Sequence, residues 1–69
     1  MTYAELTRNL KRLGIVFRRQ ASRSHEIWVD PSNDSYTIIP HHSGKDIRKG
    51  TVAKILKDLG LTQDDLRRA

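Results

Sequence analysis

Ser22-Arg23-Ser24-His25-Glu26-Ile27-Trp28-Val29-Asp30-Pro31-Ser32-Asn33-Asp34-Ser35-Tyr36-Thr37-Ile38-Ile39-Pro40 is the stretch on which the fold turns. Two runs rich in β-branched and aromatic residues flank a cluster of turn formers, Pro31 to Ser35, and this pattern predicts a β-hairpin. Pro40 closes its second strand. Upstream, Ala21 to Ser24 reads as a turn and Ile15 to Gln20 as an earlier strand, so a three-stranded meander is expected. Strict alternation sets Ile15 and Phe17 on one face, with Val16 and Arg18 on the other, and Phe17 is expected in the core. In the next strand His25, Ile27 and Val29 share one parity and Glu26, Trp28 and Asp30 the other. Read literally, this sets His25 beside two core candidates, and a bulge at the strand start is expected to free it. Trp28, the only tryptophan, is expected to pack and not to stack on a base.

Helices flank the meander. Thr2-Tyr3-Ala4-Glu5 has the spacing of a capping box, and Leu6, Leu10 and Leu13 form one apolar stripe that ends at Gly14, a suitable C′ residue. Thr51 is read as the cap of a second helix in which Val52, Ile55, Leu56 and Leu59 recur at i, i+3, i+4 and i+7, with Gly60 as its stop. A short last turn from Thr62 through Leu66 follows. Each amphipathic element must bury its apolar side, and two helices on one face of an antiparallel sheet achieve this. The expected fold class is therefore α+β, a three-stranded antiparallel sheet with two helices on one face in αβββα order, the order of double-stranded-RNA-binding-like folds. Residues 1–69 read as a single domain.

Thirteen Lys and Arg stand against eight Asp and Glu, a net charge of +5, and the basic residues are spread through the chain and not gathered in a tail. A folded basic face suited to polyanions or to an acidic protein follows. With no cysteine there are neither disulfides nor thiolate metal ligands, which fits a reducing compartment. No apolar run approaches a membrane span and the start is polar, so a cytoplasmic protein with no membrane partner is expected.

Chemistry concentrates at His25. Imidazole both takes and gives a proton near neutral pH, and a fixed, accessible one at the start of a strand is a candidate general acid or base. The competing reading is a surface turn residue. His41 and His42 occupy the polar loop after Pro40, where they bind phosphate, transfer a proton or simply turn the chain; for His41 the structural reading is preferred. Lys45, Arg48 and Lys49 crowd the start of the second helix, whose free amides already favour anions. Alternation gives no choice between Arg18 and Arg19 as the neighbour of His25. A metal set of His25, His41, His42 and Asp46 has no recurrent ligand spacing, and neither a metal nor any other cofactor is expected.

Ser22-Arg23-Ser24-His25-Glu26-Ile27-Trp28 resembles the segment that carries the catalytic histidine in the HicA family of mRNA-interferase toxins. Pro40-His41-His42 is similar to that family's Pro-x-His step, and Gly50-Thr51-Val52 with Ile55-Leu56 and Leu59-Gly60-Leu61 is similar to its second helix. The resemblance runs from about Leu6 to Leu61. One position departs from it: Arg23 stands where the family usually has glycine. The resemblance implies a metal-independent endoribonuclease with His25 as general acid or base and Ser24 orienting it or touching phosphate. It implies RNA contacts from His42, and translated mRNA as substrate. It also implies a HicB-type antitoxin that masks the site. Lys45, Lys49, Arg23 and Arg19 complete the expected RNA-binding set. Two other readings stay open: a non-catalytic RNA-binding module of the same fold, and a basic protein-interaction domain.

Overall fold

A computed structural model describes residues 1–42 and 44–69, so Ser43 of the polar loop lies outside the described residues. The elements follow as α1 (Tyr3–Arg12), β1 (Val16–Ser22), β2 (His25–Asp30), β3 (Ser35–Pro40), α2 (Lys49–Asp58) and α3 (Gln63–Arg68). The three strands form one antiparallel sheet in the order β1-β2-β3. This is the expected αβββα layout, with the last turn extended into a short third helix that buries Leu66. Among the described residues no helix is long and apolar enough to cross a membrane.

Local sequence accounts for the helix ends. Thr2 and Glu5 close a reciprocal capping box at α1, and Thr62 and Asp65 do the same at α3. At the C-terminus of α1 the amide of Gly14 donates to Lys11 O and that of Ile15 to Leu10 O, with Gly14 at φ 90°. That paired geometry satisfies two orphan carbonyls and needs the left-handed conformation that glycine adopts freely. The start of α2 differs from expectation. Thr51 is not its cap: the helix begins at Lys49, after Arg48, and carries neither a side-chain cap nor an acid in its first turn. The chain just before it is already pinned, because Ile47 donates to Met1 O at 2.7 Å and Thr2 bridges to Asp46.

The core lies between the helices and one face of the sheet, with Leu6, Leu10, Ile15, Trp28, Ile39, Ile55 and Leu59 essentially inaccessible. Each such burial contributes about 1.5–3 kcal/mol. Trp28 packs as expected, but two face assignments are corrected. On β2 it is Glu26 and Trp28, level with Ile39 and Thr37 of β3, that face the helices, while His25, Ile27 and Val29 face away. The large ring of Trp28 dominates the choice of face, and Glu26 is tolerated there because its carboxylate is fully engaged. Phe17 is the second correction. It lies opposite Trp28, 6.0 Å from it edge to face, yet stays 49% exposed. All seven residues of β1 are exposed, and the core position expected for Phe17 is filled by Ile15, just ahead of the strand.

Candidate functional site

The side of the sheet turned away from the helices carries three rows of side chains, set by the register: Val16, Val29 and Tyr36; Arg19, Ile27 and Ile38; Ser22, His25 and Pro40. His25 therefore sits on the open face by simple alternation. The bulge expected at the start of β2 is unnecessary; the irregularities lie in β1, between Phe17 and Arg19 and between Gln20 and Ser22. They also decide between the two arginines, since Arg19 falls opposite Ile27 and so shares the histidine's face.

His25 is exposed, and its Nδ1 lies 3.0 Å from the Ser22 hydroxyl. The hydroxyl that orients the ring is thus that of Ser22, which is brought alongside by the tight turn. Ser24 is half-buried, and its carbonyl accepts from the His41 amide at 2.6 Å, tying the start of β2 to the end of β3. Arg23 is exposed in the turn, where its carbonyl accepts from the Gln20 side chain. Asp34 is the only non-glycine residue at positive φ among the described residues, so the backbone at Arg23 does not call for glycine.

A groove of about 630 Å³ opens beside His25, walled by His42, Lys45, Arg48 and Lys54 and floored by Ile38, Pro40 and Ile47. Three cations and two imidazoles thus converge on one trench next to the uncapped start of α2, where free amides add positive potential. The single acid on its wall, Asp46, is 3.9 Å from the N-terminal ammonium. Of the residues expected to hold RNA, His42 and Lys45 line this groove. Lys49 faces another hollow with Met1, Val52 and Leu66, and neither Arg19 nor Arg23 is on the groove wall. Arg48, grouped by sequence with Lys45 and Lys49 at the anion-favouring start of the second helix, lines the groove as well, and Lys54 is the wall cation that the sequence does not mark as a site residue. Lys54 stands three residues after Thr51, one helical turn along α2, a spacing that marks both as neighbours on one helix face.

The other side of β2 holds a second polar cluster. Glu26, 7% exposed, accepts at Oε1 from the Tyr3 hydroxyl at 2.6 Å and the Trp28 indole N–H at 3.0 Å, while Oε2 lies 3.2 Å from His41 Nδ1. His41 also stacks on Tyr3, with centroids 3.7 Å apart and planes 6° from parallel. Burial by itself raises the Glu26 pKa, but the hydrogen bonds from Tyr3, Trp28 and His41 outweigh it and hold the carboxyl below its ordinary value. Desolvation, reinforced by that carboxylate, pushes the Tyr3 phenol up to about 12. An ionised Glu26 only accepts, so Nδ1 of His41 is the nitrogen that carries a proton. His41 is thereby an anchor between β3, α1 and β2, in line with its structural reading. Among the described residues no three His, Cys, Asp or Glu side chains gather as a metal site requires.

The model of a protein family described as the HicA toxin of bacterial toxin-antitoxin systems matches residues 3–61. No curated protein and no solved structure matches the chain.

Proposed function

We propose, from the premise that this chain belongs to the HicA toxin family, that it is a metal-independent endoribonuclease whose general acid or base is His25. Family membership already implies an antitoxin partner. The finer reading is that the toxin acts in the cytoplasm on translated mRNA and is neutralised by a HicB-type antitoxin. The observation that supports it best is an exposed imidazole, held at Nδ1 by a hydroxyl, beside a groove walled by Lys45, Arg48 and Lys54.

RNA cleavage needs little more than this. The 2′-hydroxyl is a nucleophile already tethered beside the phosphorus. When its proton is removed, the 2′-oxygen bonds to phosphorus, the bond from phosphorus to the 5′-oxygen breaks, and that oxygen takes up a proton. The products are a 2′,3′-cyclic phosphate and a 5′-hydroxyl. The Ser22 bond serves both proton transfers. With Ser22 accepting from Nδ1–H throughout, Nε2 of the neutral ring offers a lone pair as base, and Nε2–H of the imidazolium is the acid. Lys45, Arg48 and Lys54 offset the negative charge that builds on the phosphoryl oxygens. In-line attack requires a flexible backbone, so single-stranded segments are the expected substrate.

Replacement of His25 by Ala tests the reading. Cleavage of mRNA and growth arrest on induction should be lost with an unchanged far-UV circular dichroism spectrum, and cleavage that persists removes His25 from its role. Affinity for RNA should also fall steeply with added salt, because phosphates carry it.

A further inference from the structure

The groove at His25 does not end at the active-site row. It shares Ile38 and Lys54 with a second groove, of about 410 Å³, that continues along β3 and α2 past Tyr36 to Asp34. Tyr36, Ile38 and Pro40 are alternate residues of one strand, which sets the Tyr36 row about 13 Å from the row of Pro40 and His25. Tyr36 is 61% exposed, the most open of the exposed large apolar residues described. Between the ring and the histidine stands Lys54. Its ammonium donates to Asp58 Oδ2 at 2.9 Å, and the same oxygen accepts from the hydroxyl of the buried Thr37, also at 2.9 Å. Asp58 is thus anchored from the sheet and pairs with Lys54, a residue that lines both grooves.

A cation and an open aromatic ring in sequence along one trench match the alternation of phosphate and base in a nucleic acid strand. Proteins that hold single strands combine these same two elements. Asp34 at the far end repels a phosphate beyond Tyr36, which confines the bound segment to the stretch between that ring and His25. We infer that Tyr36 is a base-stacking subsite and Lys54 the adjoining phosphate contact of a track for single-stranded RNA that leads to His25. The inference rests on the function proposed above and adds a subsite distant from the reacting bond.

The test is fluorescence anisotropy with a labelled single-stranded RNA oligonucleotide of mixed sequence, on the His25→Ala protein so that the probe stays whole. Adding Tyr36→Ala should weaken binding about tenfold, whereas Tyr36→Phe keeps the ring and should bind as the parent does. Adding Lys54→Ala should lower the slope of log affinity against log salt by about 0.7, the share of one released counterion on a single strand; Tyr36→Ala should leave that slope alone. An affinity within about twofold of the parent for Tyr36→Ala, or an unchanged slope for Lys54→Ala, overturns the track. So does a Tyr36→Ala protein that binds RNA normally but no longer binds its antitoxin, which assigns the face to the protein partner. Cleavage assays on the chain with His25 intact separate this from the proposed function. Expected binding effects without any cleavage sink the enzyme and leave the track standing, and normal cleavage with unchanged binding does the reverse.

Discussion

His25 and His41 are near neighbours, since His25 pairs with Pro40 and His41 follows directly, and both are exposed, yet they are held very differently. His41 is stacked on a tyrosine, bonded to a buried carboxylate and tied through its amide to Ser24. His25 faces water and touches one hydroxyl. A ring held by a stack and a hydrogen bond on a tied backbone stabilises the fold but has little freedom to meet a substrate, whereas a ring steadied at one nitrogen keeps the other for chemistry. Two imidazoles at one end of a small sheet are thus set apart by the face each occupies, one as an anchor and the other as the reagent of the proposed reaction.

The sharpest way to strain that contrast is through Glu26. Glu26→Ala leaves the Tyr3 hydroxyl and the Trp28 indole N–H without their partner in a buried site, and should lower stability in urea denaturation by about 3 kcal/mol. Its titration adds a second readout. Because the folded-state pKa of Glu26 is lowered, its stabilisation is complete above the ordinary carboxylate range and is lost as pH falls through the depressed value. Glu5, Asp30, Asp58 and Asp65 are lowered as well, so Glu26→Gln should make the acid-side loss of stability shallower without abolishing it. An acid limb that does not change places the cluster's stabilisation elsewhere.

His41→Ala comes next. It should cost about 1–1.5 kcal/mol of stability through the lost stack and hydrogen bond, while kcat for RNA cleavage stays within about twofold of the parent. A collapse of kcat in a folded His41→Ala protein breaks the division between anchor and reagent. Ser22→Ala probes the other side: with one exposed hydrogen bond gone, kcat should fall about threefold with KM unchanged. An equal effect from Ser24→Ala on kcat restores the hydroxyl expected from sequence. The smallest effect is the stability of His25→Ala, expected within about 0.5 kcal/mol of the parent because the ring is exposed. A loss as large as that of His41→Ala makes His25 a second anchor.

Much of this molecule was legible before folding because its signals are local. The Thr2 and Glu5 capping box, the leucine stripe of α1, the C-terminal glycines of two helices and the turn formers between β2 and β3 act within a few residues of themselves. His25 stood out for the same reason, as an imidazole delivered by small polar residues to the head of a strand. Where the reading failed, two opposed local signals were settled from outside the segment. Ile27 and Val29 look more like core than Glu26 does. Only the arrival of Tyr3 from α1 and His41 from the end of β3 makes a buried carboxylate there tolerable. Phe17 reads as core, but the helices leave its side of β1 uncovered. Thr51 reads as a cap, but the pairing of Met1 and Thr2 with Asp46 and Ile47 starts the helix earlier.

The chain alone determined the order of its elements, the αβββα class, the basic balance and the histidine at the head of β2, since periodicity, capping and turn chemistry are properties of neighbouring residues. Only tertiary structure decided which face of β2 is buried, that Ser22 steadies His25, that Arg19 and not Arg18 shares its face, and that Lys54 reaches the groove. Those outcomes depend on strand register and on contacts between residues far apart in sequence, and alternation with a period of two leaves both faces available until something packs on one of them.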